Sequence, residues 1–109
     1  MKQTISRALL AALLTGSAAA AHADLAGDGL ALAQRKNCVA CHAVSKPLMG
    51  PPFHDIAGKY ATRADAVDYL AQSIVKGSIG VWGSVPMPAN TQLTSAEAHT
   101  LAQWVMSLH

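Results

Sequence analysis

Apolar positions recur at helical spacing along most of the chain, and no stretch alternates apolar and polar residues long enough for a strand. Ala66, Val67, Leu70, Ala71 and Ile74 mark one helix. Thr62-x-x-Asp65 precedes it as a capping box and Gly77 follows as its stop. Leu101, Trp104, Val105 and Leu108 form one stripe of a final helix over 96–108, opened by Thr94-x-x-Glu97. A short helix is expected from Pro52 to Tyr60, with the prolines in its first turn. A first helix begins at Ala26 or Asp28 and reaches Lys36, Gly27 and Gly29 blurring its start. Cys38–Leu48 and the Gly- and Pro-rich segment from Gly77 to Leu93 read as irregular. The predicted fold class is all-α.

The first residues stand apart from this pattern. Lys2 and Arg7 precede a nearly unbroken run of apolar and small residues from Ala8 to Ala21, and Ala21-His22-Ala23 offers small residues at both positions that a signal peptidase reads. The apolar core is short for permanent insertion into a bilayer of about 30 Å. Residues 1–23 are therefore expected to be a cleaved secretory signal, with 24–109 the exported, periplasmic domain. The whole chain of 109 residues has formal net charge +2. Removing Lys2 and Arg7 leaves six bases against six acids, so the domain is neutral. No basic run with interleaved aromatics is present, which argues against nucleic acid as a partner. A domain this small holds a marginal core unless something staples it.

Cys38-Val39-Ala40-Cys41-His42 supplies such a staple. Cys-x-x-Cys-His is the attachment motif for c-type haem: each thiol adds to one vinyl group, and the histidine becomes an axial ligand of the iron. A thioredoxin-like pair would need a strand and a βαβ context, a closed zinc site would need a second Cys pair, and against a plain disulfide of an exported protein the helical content and a downstream Met agree with haem.

An electron carrier wants a second axial ligand, and a thioether raises the reduction potential. Met106 falls in the final helix beside Trp104 and Val105, as packing. Met49 lies only seven positions after His42, in a turn. Met87, between Pro86 and Pro88, is far from the cysteines and held by restricted backbone. Met87 is the preferred ligand, with Met49 the alternative.

Taken together, Cys38-x-x-Cys41-His42, Gly50-Pro51 and the run from Gly80 to Asn90 (Gly-Val-Trp-Gly-Ser-Val-Pro-Met-Pro-Ala-Asn) resemble the small class I bacterial cytochromes c of the cytochrome c-551 type. The resemblance spans the domain and implies four to five helices wrapped around one covalently attached haem c. It also implies that the Pro51 carbonyl accepts from His42, that the Asn90 amide donates near the Met87 sulfur, and that the Trp82 indole is aimed at a haem propionate. Ser73 departs from the arginine that many relatives place there. Pro52 and Phe53 replace smaller and hydroxylated residues, and the loop after Asn90 is one residue longer.

The expected function is single-electron transfer with no catalytic residues. A quinol-oxidising complex is the implied donor, and a terminal oxidase or a periplasmic nitrite reductase the implied acceptor. A monomer is expected, with Lys46, Lys59 and Lys76 as weak docking candidates and His54, His99 and His109 on solvated faces. The rival reading is an enzyme or sensor whose Met87 is displaceable, but the segment around it offers no distal base beyond Asn90.

Overall fold

A computed structural model describes residues 18–109, with side chains described from Gly27 onward. Residues 1–17, including Lys2 and Arg7 of the expected leader, lie outside it. Four α-helices follow in order: α1 Ala18–Arg35, α2 Phe53–Tyr60, α3 Ala66–Lys76 and α4 Ser95–Met106, with a single 3-10 turn at Cys38–Ala40. Among the described residues there is no strand, only one isolated antiparallel bridge between Ser78 and Met87. The all-α expectation holds.

α4 is the central element. It packs on α3, α1 and α2, and its Leu101, Ala102, Trp104 and Val105 are buried, as the stripe predicts, while Leu108 is only half-buried. Burying one such leucine contributes about 1.5–3 kcal/mol. The start of α4 is the expected capping box: the Glu97 N–H donates to the Thr94 hydroxyl at 3.1 Å, and the Thr94 N–H donates to the Glu97 carboxylate at 3.0 Å. Lys36 meets the same carboxylate at 3.3 Å and ties the chain just beyond α1 to the start of α4.

Three expectations need correction. α1 covers Ala18–Arg35, so Gly27 and Gly29 lie inside it rather than at its start. Gly29 is there because a Cβ would lie 2.2 Å from Cγ of Trp104; only glycine lets the two helices approach so closely. The Thr62–Asp65 box does not form. Asp65 occupies the N-cap position of α3 without a side-chain cap, its carboxylate drawn instead into a two-point contact with Arg63 at 2.6 and 3.2 Å. That contact holds the Asp65 carboxyl below its ordinary range. Finally, α4 covers Ser95–Met106 and α2 starts at Phe53, with buried Pro52 as its N-cap residue.

Candidate functional site

A cleft of about 280 Å³ opens between the segment that follows α1 and the long loop after α3. Its floor is helical: Ala33, Leu70, Leu101, Ala102, Trp104 and Val105 line it from α1, α3 and α4. Every residue singled out from the motif and the resemblance (Cys38, Cys41, His42, Pro51, Trp82, Met87 and Asn90) lines this one space. So do Met49, Ser73, Tyr60 and Tyr69.

The Cys-x-x-Cys-His wall is built by a change of backbone hand. α1 ends and Asn37 takes φ 64, ψ 18, a left-handed conformation that asparagine tolerates better than most residues. The chain then tightens into the 3-10 turn, where the His42 N–H donates to the Cys38 carbonyl at 3.0 Å. Both thiols are free and half-buried, and burial pushes the Cys38 thiol pKa up. The His42 ring is fixed twice. It stacks on Phe53 with centroids 5.0 Å apart, and Phe53 in turn meets Trp104 edge-on at 4.9 Å. Nδ1 of His42 donates to the Pro51 carbonyl at 2.7 Å. A carbonyl can only accept, so Nδ1 carries the proton and Nε2 keeps its lone pair for a metal. Gly50 makes this arrangement possible, because a Cβ there would fall 2.6 Å from the His42 ring.

The opposite wall is the loop carrying Met87. Ser78 and Met87 exchange backbone hydrogen bonds at 3.0 and 2.9 Å. Gly77, at φ 81, lets the loop close: a Cβ would lie 2.7 Å from the Met87 carbonyl oxygen. Gly77 thus stops α3, as expected, and also seats Met87, a second role the sequence does not announce. Asn90 anchors the far end. Its backbone N–H and its side-chain Nδ2 both reach the Ile74 carbonyl, at 3.1 and 3.2 Å, and Nδ2 also approaches the Pro88 carbonyl at 3.4 Å. In this structure the amide reaches backbone carbonyls, and the one on Ile74 holds the loop onto α3.

The remaining members divide clearly. Met49 sits on the cysteine wall, its Sδ 3.9 Å from Cys41 Sγ. Trp82 stands at the rim, 41% exposed, with the Lys59 ammonium 5.1 Å from its ring centroid. The Ser73 hydroxyl donates to the Tyr69 carbonyl of its own helix at 3.0 Å. Burial first, and then hydrogen bonding with Tyr69, push the Tyr60 pKa up to about 12, so Tyr60 stays neutral. His54 and His109 are exposed, and half-buried His99 lies 3.7 Å from Asp68. None of these three lines the cleft.

The donor set suits a covalently held haem. Two thiols three positions apart and one imidazole with its outer nitrogen free line a mostly apolar slot. Among the described residues no group of three or more His, Cys, Asp or Glu side chains converges as a metal cage.

The chain is similar to known proteins in sequence and fold. The family model for cytochrome c matches residues 26–109. Cytochrome c-552 of Hydrogenobacter thermophilus is 56% identical over 77 residues, covering 71% of this chain and 78% of its own length. Cytochrome c-551 of Pseudomonas aeruginosa is 48% identical over 100 residues, or 92% of this chain and 94% of the relative. The crystal structure of wild-type Nitrosomonas europaea cytochrome c552 superposes with a TM-score of 0.72 at 48% identity, covering 73% of this chain and 99% of that one.

Proposed function

The chain belongs to the cytochrome c family, and from that premise we propose that His42 and Met87 are the axial ligands of its haem iron in a periplasmic single-electron carrier. As a small class I monohaem cytochrome c it is a haem-based electron carrier, with one haem c joined through Cys38 and Cys41. When bound, the haem supplies the one-electron couple.

The observation that carries the ligand reading is the division of the two candidate sulfurs. Met49 lies against Cys41, on the wall that already provides His42, whereas Met87 lies on the facing loop. The residues around each ligand have one task, which is to hold it still. Pro51 and Phe53 fix the imidazole; the Ser78 bridge and the Asn90 anchor fix the loop that bears the thioether. Immobile ligands keep reorganisation small when the charge on the site changes. Trp82, at the rim, is the residue we assign to a propionate, with Lys59 beside it.

Ile79, 84% exposed and outside the cleft lining, leaves an apolar side chain on the loop's surface. Together with a neutral domain charge, this fits brief docking with little electrostatic steering. We assign a quinol-oxidising complex as donor and a terminal oxidase or nitrite reductase as acceptor, from the family likeness. Export follows from the leader pattern of residues 1–23. No helix among the described residues is long and apolar enough to cross a membrane.

Replacing Met87 by alanine tests the ligand pair. The oxidised protein should lose its near-infrared sulfur-to-iron absorption completely, and the midpoint potential should drop. Met49→Ala should retain the band. An unchanged band in Met87→Ala would refute the assignment, and intact-mass analysis of the exported protein would check that it starts at Asp24.

A further inference from the structure

Among the described residues, no Lys, Arg, Asp or Glu side chain lines the cleft. Its walls suit the apolar body of a haem, but the propionate carboxylates of that group need partners of their own, since an unpaired carboxylate is costly to take out of water. Ser73, which lines the cleft from α3, brings no charge, and its hydroxyl donates to the Tyr69 carbonyl. Two cations from outside the lining reach aromatic side chains within it. The Arg63 guanidinium lies 3.8 Å from the Tyr69 ring centroid, and the Lys59 ammonium 5.1 Å from that of Trp82. Arg63 is already neutralised by the Asp65 carboxylate, at 2.6 and 3.2 Å. Lys59 forms no ion pair among the described residues.

We propose that Lys59 is a haem-binding residue whose ammonium pairs with the propionate at the Trp82 rim of the cleft. The assignment rests on the reading of Trp82 as that propionate's neighbour. Lys59 stands in the last turn of α2, next to buried Tyr60, so its backbone is anchored in the core. Its ammonium is steadied over the indole face, an attraction that acts within about 6 Å. A cation held in this way is in place before the carboxylate arrives. Little nearby competes for it. Asp55, one turn earlier in α2, makes no ion pair with Lys59. From α2 and α3, Tyr60 is neutral and Arg63 is balanced by Asp65, while α4 and the loop from Gly77 to Asn90 bring no titratable side chain to the cleft. An adjacent ammonium favours the carboxylate over the acid, and so lowers the pH at which the propionate takes up a proton. Oxidised iron carries one more positive charge than reduced iron, so the oxidised protein holds that proton less tightly. The midpoint potential therefore falls with pH only between the two proton affinities, and Lys59 sets where that falling segment lies.

The test uses haem-loaded protein, native, Lys59→Gln, Lys59→Arg and Trp82→Phe, with the midpoint potential measured against pH. Lys59→Gln should move the falling segment upward by about one pH unit, the low end of what a close opposite charge does. Lys59→Arg should keep it at the native position. The proposal is overturned if Lys59→Gln leaves the segment unmoved, or if Lys59→Arg shifts it as far as Lys59→Gln does. Trp82→Phe keeps a ring beneath the cation and removes the indole N–H, so it reads the Trp82 assignment separately. A segment unmoved in Trp82→Phe but raised in Lys59→Gln would end that assignment and leave Lys59 as the propionate's partner.

Discussion

The two walls of the cleft are built on different principles. The cysteine wall, Asn37 to Phe53, is sewn into the body of the protein at close intervals. Gly50 bonds to Cys41, Phe53 to Ala43 and His54 to Val44 through the backbone, and the His42 ring continues through Phe53 to Trp104 in the core. The methionine wall, Gly77 to Asn90, is closed on itself by the Ser78–Met87 bridge and tied to α3 by the Asn90–Ile74 contacts. One proposed ligand, His42, therefore inherits its position from the hydrophobic core, and the other, Met87, from a loop tied down at Asn90. Local opening follows the same division, since segments with few buried contacts open at lower free energy than the core.

That contrast can be broken most forcefully at Phe53. Phe53→Ala removes the ring between His42 and Trp104 and should destabilise the haem-loaded protein by about 3–5 kcal/mol, the usual range for a buried aromatic. Guanidinium unfolding measures it. A loss no greater than that of an exposed-site substitution would mean the cysteine wall does not depend on the core.

The methionine wall is best probed at Gly77. At φ 81 and ψ 175, with its Cβ position 2.7 Å from the Met87 carbonyl, alanine is doubly disfavoured. Gly77→Ala should cost about 1–3 kcal/mol, concentrated in the loop. On heating, its near-infrared band should disappear below the main unfolding transition. Band and fold melting together, as one step, would contradict a loop that opens separately.

The smallest effect belongs to Glu97, whose contact with Lys36 steadies the approach to the cysteine wall. The Thr94 backbone N–H, and after it Lys36, hold the Glu97 carboxyl below its ordinary 4.5. A lowered folded value means that the contribution is fully present above 4.5 and is lost as the pH falls through that lowered value. The difference in denaturation midpoint between native protein and Glu97→Gln should thus stay constant above pH 4.5 and close below it. A gap that persists in acid would assign the effect to something other than this charge.

What the sequence determined alone was whatever a short stretch of chain can arrange for itself. Cys38, Cys41 and His42 are brought together by the turn that contains them, and Thr94 and Glu97 are one helical turn apart, so covalent geometry suffices for both. The helical period of α4 likewise named its buried face, because a stripe can satisfy itself only by facing inward. Tertiary structure decided each case in which a residue had more than one available partner. Asp65 could cap α3 but pairs with Arg63. Gly29 reads as a helix breaker until Trp104 is seen to need the space. The Asn90 amide turns to the Ile74 carbonyl, sixteen positions back in the chain. Met49 and Met87 are both reachable by chain length, and their separation onto opposite walls depends on how α1, α3 and α4 pack. Competition between distant partners is settled by distances through space, which spacing along a chain does not contain.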